Sequence, residues 1–166
     1  MILIRSATAD DLKTIQSIAH ATWPHTYSTI VSNEQITYML ELFYSLESLQ
    51  KSAADDQHFL IAEDNSTAVG FCAFQHFGDE SRLLTKIQKL YVLPDLHRKG
   101  IGHRLLDAAE IFARKNHSEV ISLNVNRRNP AINFYKRMDF KIAYEEDIPL
   151  EHGYFMNDYV MEKALV

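Results

Sequence analysis

His97, Arg98, Lys99, Gly100 and Gly102 stand in one stretch of six residues, HRKGIG, just before an apolar helical pattern. A chain turning into a helix presents several backbone N–H groups with no intrahelical partner, and the helix dipole adds partial positive charge there. Gly100 and Gly102 let the backbone bend tightly and approach a ligand with no Cβ in the way. Arg98 and Lys99 add formal charge. Such a junction suits a phosphate or pyrophosphate; the bland alternative is that the two glycines only shape a turn. Two nucleotide-binding patterns are excluded. No stretch matches Gly-x-x-x-x-Gly-Lys-Ser/Thr, and Leu105 occupies the third glycine position of a dinucleotide fingerprint, on a loop that follows a mid-chain strand.

The elements that must position this loop follow from periodicity. RLLTKIQKLYVL before it reads as a strand, and residues 101–115 after it form a helix with Ile101, Leu105, Ala108, Ala109 and Phe112 on one side. Ile87 and Leu90 are three apart, so strict alternation cannot place both on one face, which predicts a β-bulge near Gln88–Lys89. Upstream, ILIRSA is a first strand. Thr8 caps a helix over residues 9–21 bearing Leu12, Ile15, Ile18 and Ala19, and Pro24 breaks it, leaving the aromatic-rich connection TWPHTYSTI. A second helix starts near SNEQ, with Ser32 and Gln35 as a capping box and the stripe Ile36, Met39, Leu40, Phe43. HFLIAED and AVGFCAFQHF, joined by NST, form a hairpin. Downstream come the strand EVISLNV, a short helix in NPAINFYKRM with Asn129 as N-cap and Pro130 at the first helical position, and the closing strands FKIAYEE and FMNDYVMEKAL. This order predicts one α+β domain over residues 1–166, a mixed sheet with helices on both faces.

The segments HRKGIG and NPAINFYKRMDF, about 30 residues apart, together resemble the GNAT N-acetyltransferase superfamily, whose signature is a strand, then Gln/Arg-x-x-Gly-x-Gly/Ala, then a helix, with Ala-x-x-Phe/Leu-Tyr-x-x-x-Gly-Phe downstream. The resemblance covers the element order of nearly the whole chain and implies a mostly antiparallel GNAT-type sheet. It also implies acetyl-CoA as co-substrate, its pyrophosphate cradled by the backbone of His97, Arg98, Lys99, Gly100, Ile101 and Gly102 with His103 and Arg104. Leu90, Tyr91 and Val92 would pair with the pantetheine arm as an added strand, and a backbone N–H at the bulge would face the thioester carbonyl. Tyr135 matches the tyrosine that protonates the departing thiolate in direct attack by an amine; its other reading is a plain core aromatic. Asn129 would join cap and cofactor contact, and Arg137 reaches the phosphates or is a solvated helix charge. Asn126 and Asn133 are weaker candidates.

Three residues depart from the family pattern. His97 replaces Gln or Arg at the first loop position. Asp139 replaces glycine and predicts a left-handed turn. Lys86 stands where related enzymes often carry a glutamate base, so the base is unassigned, with His76, Asp79, Glu80 and Glu146 as candidates that equally fit ordinary strand-end or loop positions. The acceptor side falls to the N-terminal helices, where Trp23, Tyr27, Tyr38 and Tyr44 frame an amine by cation–π contact or are simply core. The Trp-containing connection, YML…FYS and the ending DYVMEKAL loosely resemble the polyamine (spermidine/spermine) branch, and Glu145, Glu146, Asp147 and Glu151 form an acidic tail that suits a polycation or is a solvated edge. The implied partner is a small amine. A peptide N-terminus or lysine is the alternative, and a non-catalytic acyl-CoA-binding regulatory module is the alternative of another class. A homodimer is the assembly the resemblance implies.

Bulk properties agree with these readings. The chain has 166 residues, 46% hydrophobic and 23% charged, an ordinary globular balance. A net charge of −5 argues against broad nucleic-acid binding. Cys72, the single cysteine, sits in the apolar run VGFCAF as a buried small hydrophobe. There is no HExxH or paired Cys/His spacing, so no metal is expected despite eight histidines. No run approaches the ~20 apolar residues of a bilayer span, and the N-terminus does not read as a signal peptide, so a cytoplasmic location is expected.

Overall fold

The computed structural model describes residues 1–78, 81–97 and 99–166. The chain runs β1 (Ile2–Ser6), α1 (Leu12–Tyr27), α2 (Asn33–Tyr44), α3 (Leu46–Ala54), β2 (His58–Asp64), β3 (Thr67–Gly78), β4 (Leu83–Val92), α4 (Ile101–Lys115), β5 (Val120–Asn126), α5 (Ala131–Arg137), β6 (Lys141–Pro149) and β7 (Phe155–Ala164). The strands form one sheet in the order β1-β2-β3-β4-β5-β7-β6. Every neighbouring pair is antiparallel except β4 and β5, which α4 connects as a crossover. The expected α+β architecture, mostly antiparallel with helices on both faces, is what is observed.

Each face buries its own core. On one side α4 and α5 cover Cys72, Ile87, Leu123, Val125 and Met161 with Ile101, Leu105, Leu106 and Tyr135. On the other, α1, α2 and α3 pack Ile15, Ile18, Trp23, Ile36, Met39, Leu40, Tyr44 and Leu49 over Phe59, Ile61, Phe71 and Ala73. Register explains how β4 serves both. Ala73 faces Lys89 and Phe74 faces Ile87, so Gln88 is the extra residue of the predicted bulge. The inserted residue puts Ile87 and Leu90 on the α4 face and swings Lys89 and Tyr91 toward α1.

Four local expectations are corrected. Pro24 does not end α1, which continues through it to Tyr27. The proline lies in the last turn, and His20, whose carbonyl it cannot bond, is exposed and open to water. Buried Trp23 and half-buried Tyr27 hold that turn on the sheet. Before α1, Thr8 starts a 3-10 turn, Ala9–Asp11, in which the Asp11 carboxylate accepts from the Thr8 amide (2.7 Å) and hydroxyl (3.2 Å). The Ser32 box is half-formed: Ser32 Oγ accepts from the Gln35 amide, but Gln35 Nε2 donates to the Phe155 carbonyl at 2.9 Å and so docks α2 on β7. Helix α3 is absent from the periodicity reading because its buried side is a single residue, Leu49, leaving no stripe to detect.

Candidate active site

The site begins where two strands part. β4 and β5 pair from Leu84↔Val120 to Ile87↔Leu123; beyond that, β4 runs on to Val92 while β5 runs on to Asn126 against β7. The β5-facing backbone edge of residues 88–92 therefore has no strand partner among the described residues. An unpaired edge of this kind accepts an extended ligand by strand addition. The bulge at Gln88 lies at the point of divergence. Leu90 and Val92 pack half-buried toward α4, whereas the Tyr91 hydroxyl meets the Tyr27 hydroxyl at 2.9 Å on the α1 face.

The strand leads through the turn Pro94–Leu96 to the glycine loop. Gly100 has φ +76°, a left-handed conformation that costs an L-residue about 1–2 kcal/mol. A Cβ there would touch nothing within 4 Å, so backbone conformation alone requires the glycine. The first helical bond from the cap is Arg104 N to Gly100 O, and by helix geometry the amides of Ile101, Gly102 and His103 lack intrahelical acceptors. Lys99 is exposed beside them. These features fit an anionic phosphate group. Arg98 lies outside the described residues, as do Asp79 and Glu80.

Side chains around the loop hold partners within the chain. His97 turns its Nε2–H back onto the Val92 carbonyl, 2.9 Å away. His103 pairs with Asp107 at 3.1 Å, and Arg104 donates to the Ile2 carbonyl at 2.6 Å, anchoring α4 to β1. Arg137 is exposed and lines a surface groove with His103 and Asp107.

Helix α5 brings the second motif against the first. Phe134 Cζ sits 3.5 Å from where a Gly102 Cβ would be, so α5 rests on the first turn of α4. Buried Asn129 accepts from the Ala131 amide at 2.9 Å; Pro130 sits one position ahead of the helix proper, yet Asn129 still satisfies the first free amide. Tyr135 is 8% exposed, and its hydroxyl has no hydrogen-bond partner among the described residues. Burial, with smaller contributions from nearby Cys72 and Tyr27, pushes its phenol above the ordinary range, so it stays protonated at neutral pH. Asp139 adopts φ +71°, the predicted left-handed turn.

The opposite face is built from distant segments. Trp23 and Tyr44, 5% and 1% exposed, belong to the core. Tyr27 and Tyr38 are half-buried: the Tyr27 hydroxyl meets that of Tyr91, and Tyr38 Oη accepts from the Glu151 amide at 3.4 Å. Arg128 donates to the Thr29 and Ile30 carbonyls, bridging the α1–α2 loop to the β5–α5 loop. In the acidic tail, Asp147 is paired with Arg127 at 2.8 Å, while Glu145 and Glu151 are exposed. Among the base candidates, His76 bonds Ser118 Oγ at 3.0 Å beside Thr85, several residue pairs from the strand divergence, and serves structure there. Glu146 lies on β6 opposite Asp158. Sequence reasoning passed over Asp158, which is 7% exposed; its signal was a carboxylate in phase with buried Val160 on a strand.

Similarity to known proteins agrees with this fold. Residues 55–142 match the family described as the Acetyltransferase (GNAT) domain. The spermidine N(1)-acetyltransferase of Thermoplasma acidophilum is 30% identical, over 98% of this chain and 96% of that protein. The crystal structure of the PaiA N-acetyltransferase from Thermoplasma acidophilum in complex with coenzyme A superposes with a TM-score of 0.81, at 30% identity and 99% coverage of both chains. The yncA structure from Salmonella typhimurium, with its cofactor acetyl-CoA, shares the fold at a TM-score of 0.68 and 21% identity, over 99% of this chain and 94% of that one. The chain belongs to the GNAT acetyltransferase family and is an acetyltransferase.

Proposed function

We propose that residues 1–166 act as one domain that moves the acetyl group of acetyl-CoA to the nitrogen of a small primary amine, a polyamine being the favoured acceptor. The observation that carries this reading is the continuity of the open β4 edge at 88–92 with the left-handed Gly100 and the free amides of 101–103. Together they form a groove with a strand-pairing wall and an anion-binding end. Acetyl-CoA supplies the activated acyl thioester, with the free amides of residues 101–103 and the charges of Arg98 and Lys99 at its phosphates, and Leu90, Tyr91 and Val92 along its arm. Asn129 supports the α5 end of the groove, and Arg137 reaches the phosphates from the side. Tyr135 is the general acid: its hydroxyl, held protonated, donates to the sulfur as negative charge develops there.

The polyamine preference is supported by the acidic edge of β6, by the half-buried Tyr27 and Tyr38 on the α1 face, and by likeness to the spermidine N(1)-acetyltransferase. A mass-detected assay with acetyl-CoA tests it, offering spermidine, spermine, a peptide with a free N-terminus, a lysine peptide and an aminoglycoside. Acetylated polyamine is the expected product. Acetylated peptide alone would overturn the small-amine reading, and coenzyme binding without any product would favour the regulatory module.

A further inference from the structure

A primary alkylamine, with a pKa near ~10.4, is almost wholly protonated at neutral pH, so the reaction needs a proton acceptor that Lys86 does not provide. Asp158 occupies the place where one would act. Leu123 and Val125 of β5 and Met161 of β7 face α4. Strand alternation therefore turns Asn124, Asn126 and Asp158 to the α1 side. Asn124 is the first β5 residue beyond the last β4 pair, at the mouth of the divergence.

Polar satisfaction there is incomplete. Asp158 Oδ2 accepts from Asn124 Nδ2 at 3.2 Å, and Asn124 Oδ1 is buried with no partner among the described residues. Asp158, buried as a residue, holds one long amide bond and has unused acceptor sites on its carboxylate, and the buried amide oxygen beside it has another. Both want donors, and an ammonium has three. The charged groups facing Asp158 are Lys86 from β4, Glu146 from β6, Arg127 after β5 and the Tyr27 phenol from α1. Arg127 is held by Asp147 at 2.8 Å and donates to the Asp158 backbone carbonyl at 3.2 Å. Tyr27 lies within electrostatic reach of both Asp158 and Tyr135 and hydrogen-bonds Tyr91 of β4, linking the carboxylate to the groove.

Resting on the acetyl-transfer reading, we propose that Asp158, oriented by Asn124, binds the acceptor ammonium and takes its proton. The ammonium gives one proton to the carboxylate, and the freed lone pair forms the N–C bond to the acyl carbon. The C–S bond breaks, its electron pair leaves on sulfur, and sulfur takes the Tyr135 proton, which the surplus proton on nitrogen replaces. Asp158 then releases its proton to water. In sum, an ammonium and a thioester become an amide, a thiol and one proton. Burial holds the Asp158 carboxyl above its ordinary range, with Glu146 adding to this and Asn124, Lys86 and Arg127 opposing it, which makes it a stronger acceptor than an exposed carboxylate.

The test is Asp158→Asn, close in shape, measured with spermidine from pH 6 to 10 beside wild type and Asp158→Glu. At pH 7 kcat/KM should fall by about 10²-fold or more. The loss should shrink as pH climbs toward the amine's own pKa, and Asp158→Glu should recover part of the rate. By calorimetry without acyl donor, Asp158→Asn should weaken spermidine binding at least about tenfold and leave coenzyme A affinity within about twofold. A pH-independent loss, or a rate within about threefold of wild type at pH 7, would overturn the assignment. A wild type that acetylates no amine would instead overturn the acetyl-transfer reading, and this one with it.

Discussion

The two faces of the sheet are built on different principles. The groove that runs from β4 through Gly100 into α4 is made of backbone: an open strand edge, a left-handed glycine and helix amides. The α1 face is made of side chains from four distant stretches, Tyr27 and Tyr38, Tyr91, Asn124, and Asp158, tied by Gln35–Phe155, Tyr38–Glu151 and Arg128–Thr29. A backbone site tolerates sequence change as long as the conformation survives, whereas a side-chain site changes its ligand with a single substitution. The first suits a shared co-substrate and the second a variable acceptor.

Substitutions should separate the two. Tyr135→Phe, at their junction, should lower kcat by about 10²–10⁴-fold in steady-state assays while coenzyme A affinity changes less than about twofold. An equal loss in binding would show that Tyr135 only packs α5. Lys89, on the strand both sites share, is pushed down to about 8 by burial, with its Nζ on Gln57 Oε1 at 2.9 Å. Because the folded value is lowered, the unfolded chain binds more protons between about pH 8 and the ordinary 10.5, so stability rises with pH in that window. Denaturant melts should show a gain on the order of 2 kcal/mol, and Lys89→Met should abolish the slope; a slope surviving in the variant would assign it elsewhere.

Gly100→Ala should weaken coenzyme A binding or destabilise the fold by about 1–2 kcal/mol, read by calorimetry and thermal melting, with the amine KM unmoved. The smallest effect belongs to Tyr27→Phe. It removes the Tyr91 hydroxyl bond, and should cost about 1 kcal/mol of stability and raise the amine KM severalfold while coenzyme A affinity holds. If the coenzyme responds and the amine does not, the division between the two faces is wrong.

The same division decides what could be read from the chain. The groove was legible because its signals are local: two glycines before a helical stripe, an Ile87–Leu90 spacing that demanded a bulge, and Asn-Pro ahead of Tyr135. The α1 face was not. Trp23 and Tyr44 look the same in sequence as Tyr27 and Tyr38, and only packing separates the buried pair from the half-buried one. Pro24 carried a correct local preference that aromatic burial overrode, and α3 has a single buried residue and hence no period. Asp158 was hidden because a carboxylate in a strand means nothing until the register sets it beside Asn124 and Glu146.

Amide hydrogen exchange of the wild-type chain with and without coenzyme A tests the central claim most directly. Protection concentrated in residues 88–104 and 129–137, with α2 and the β6–β7 hairpin unchanged, is the predicted result. Protection centred on α2 or β6–β7, or none at 88–104, would contradict the placement of the co-substrate and the division of labour built on it.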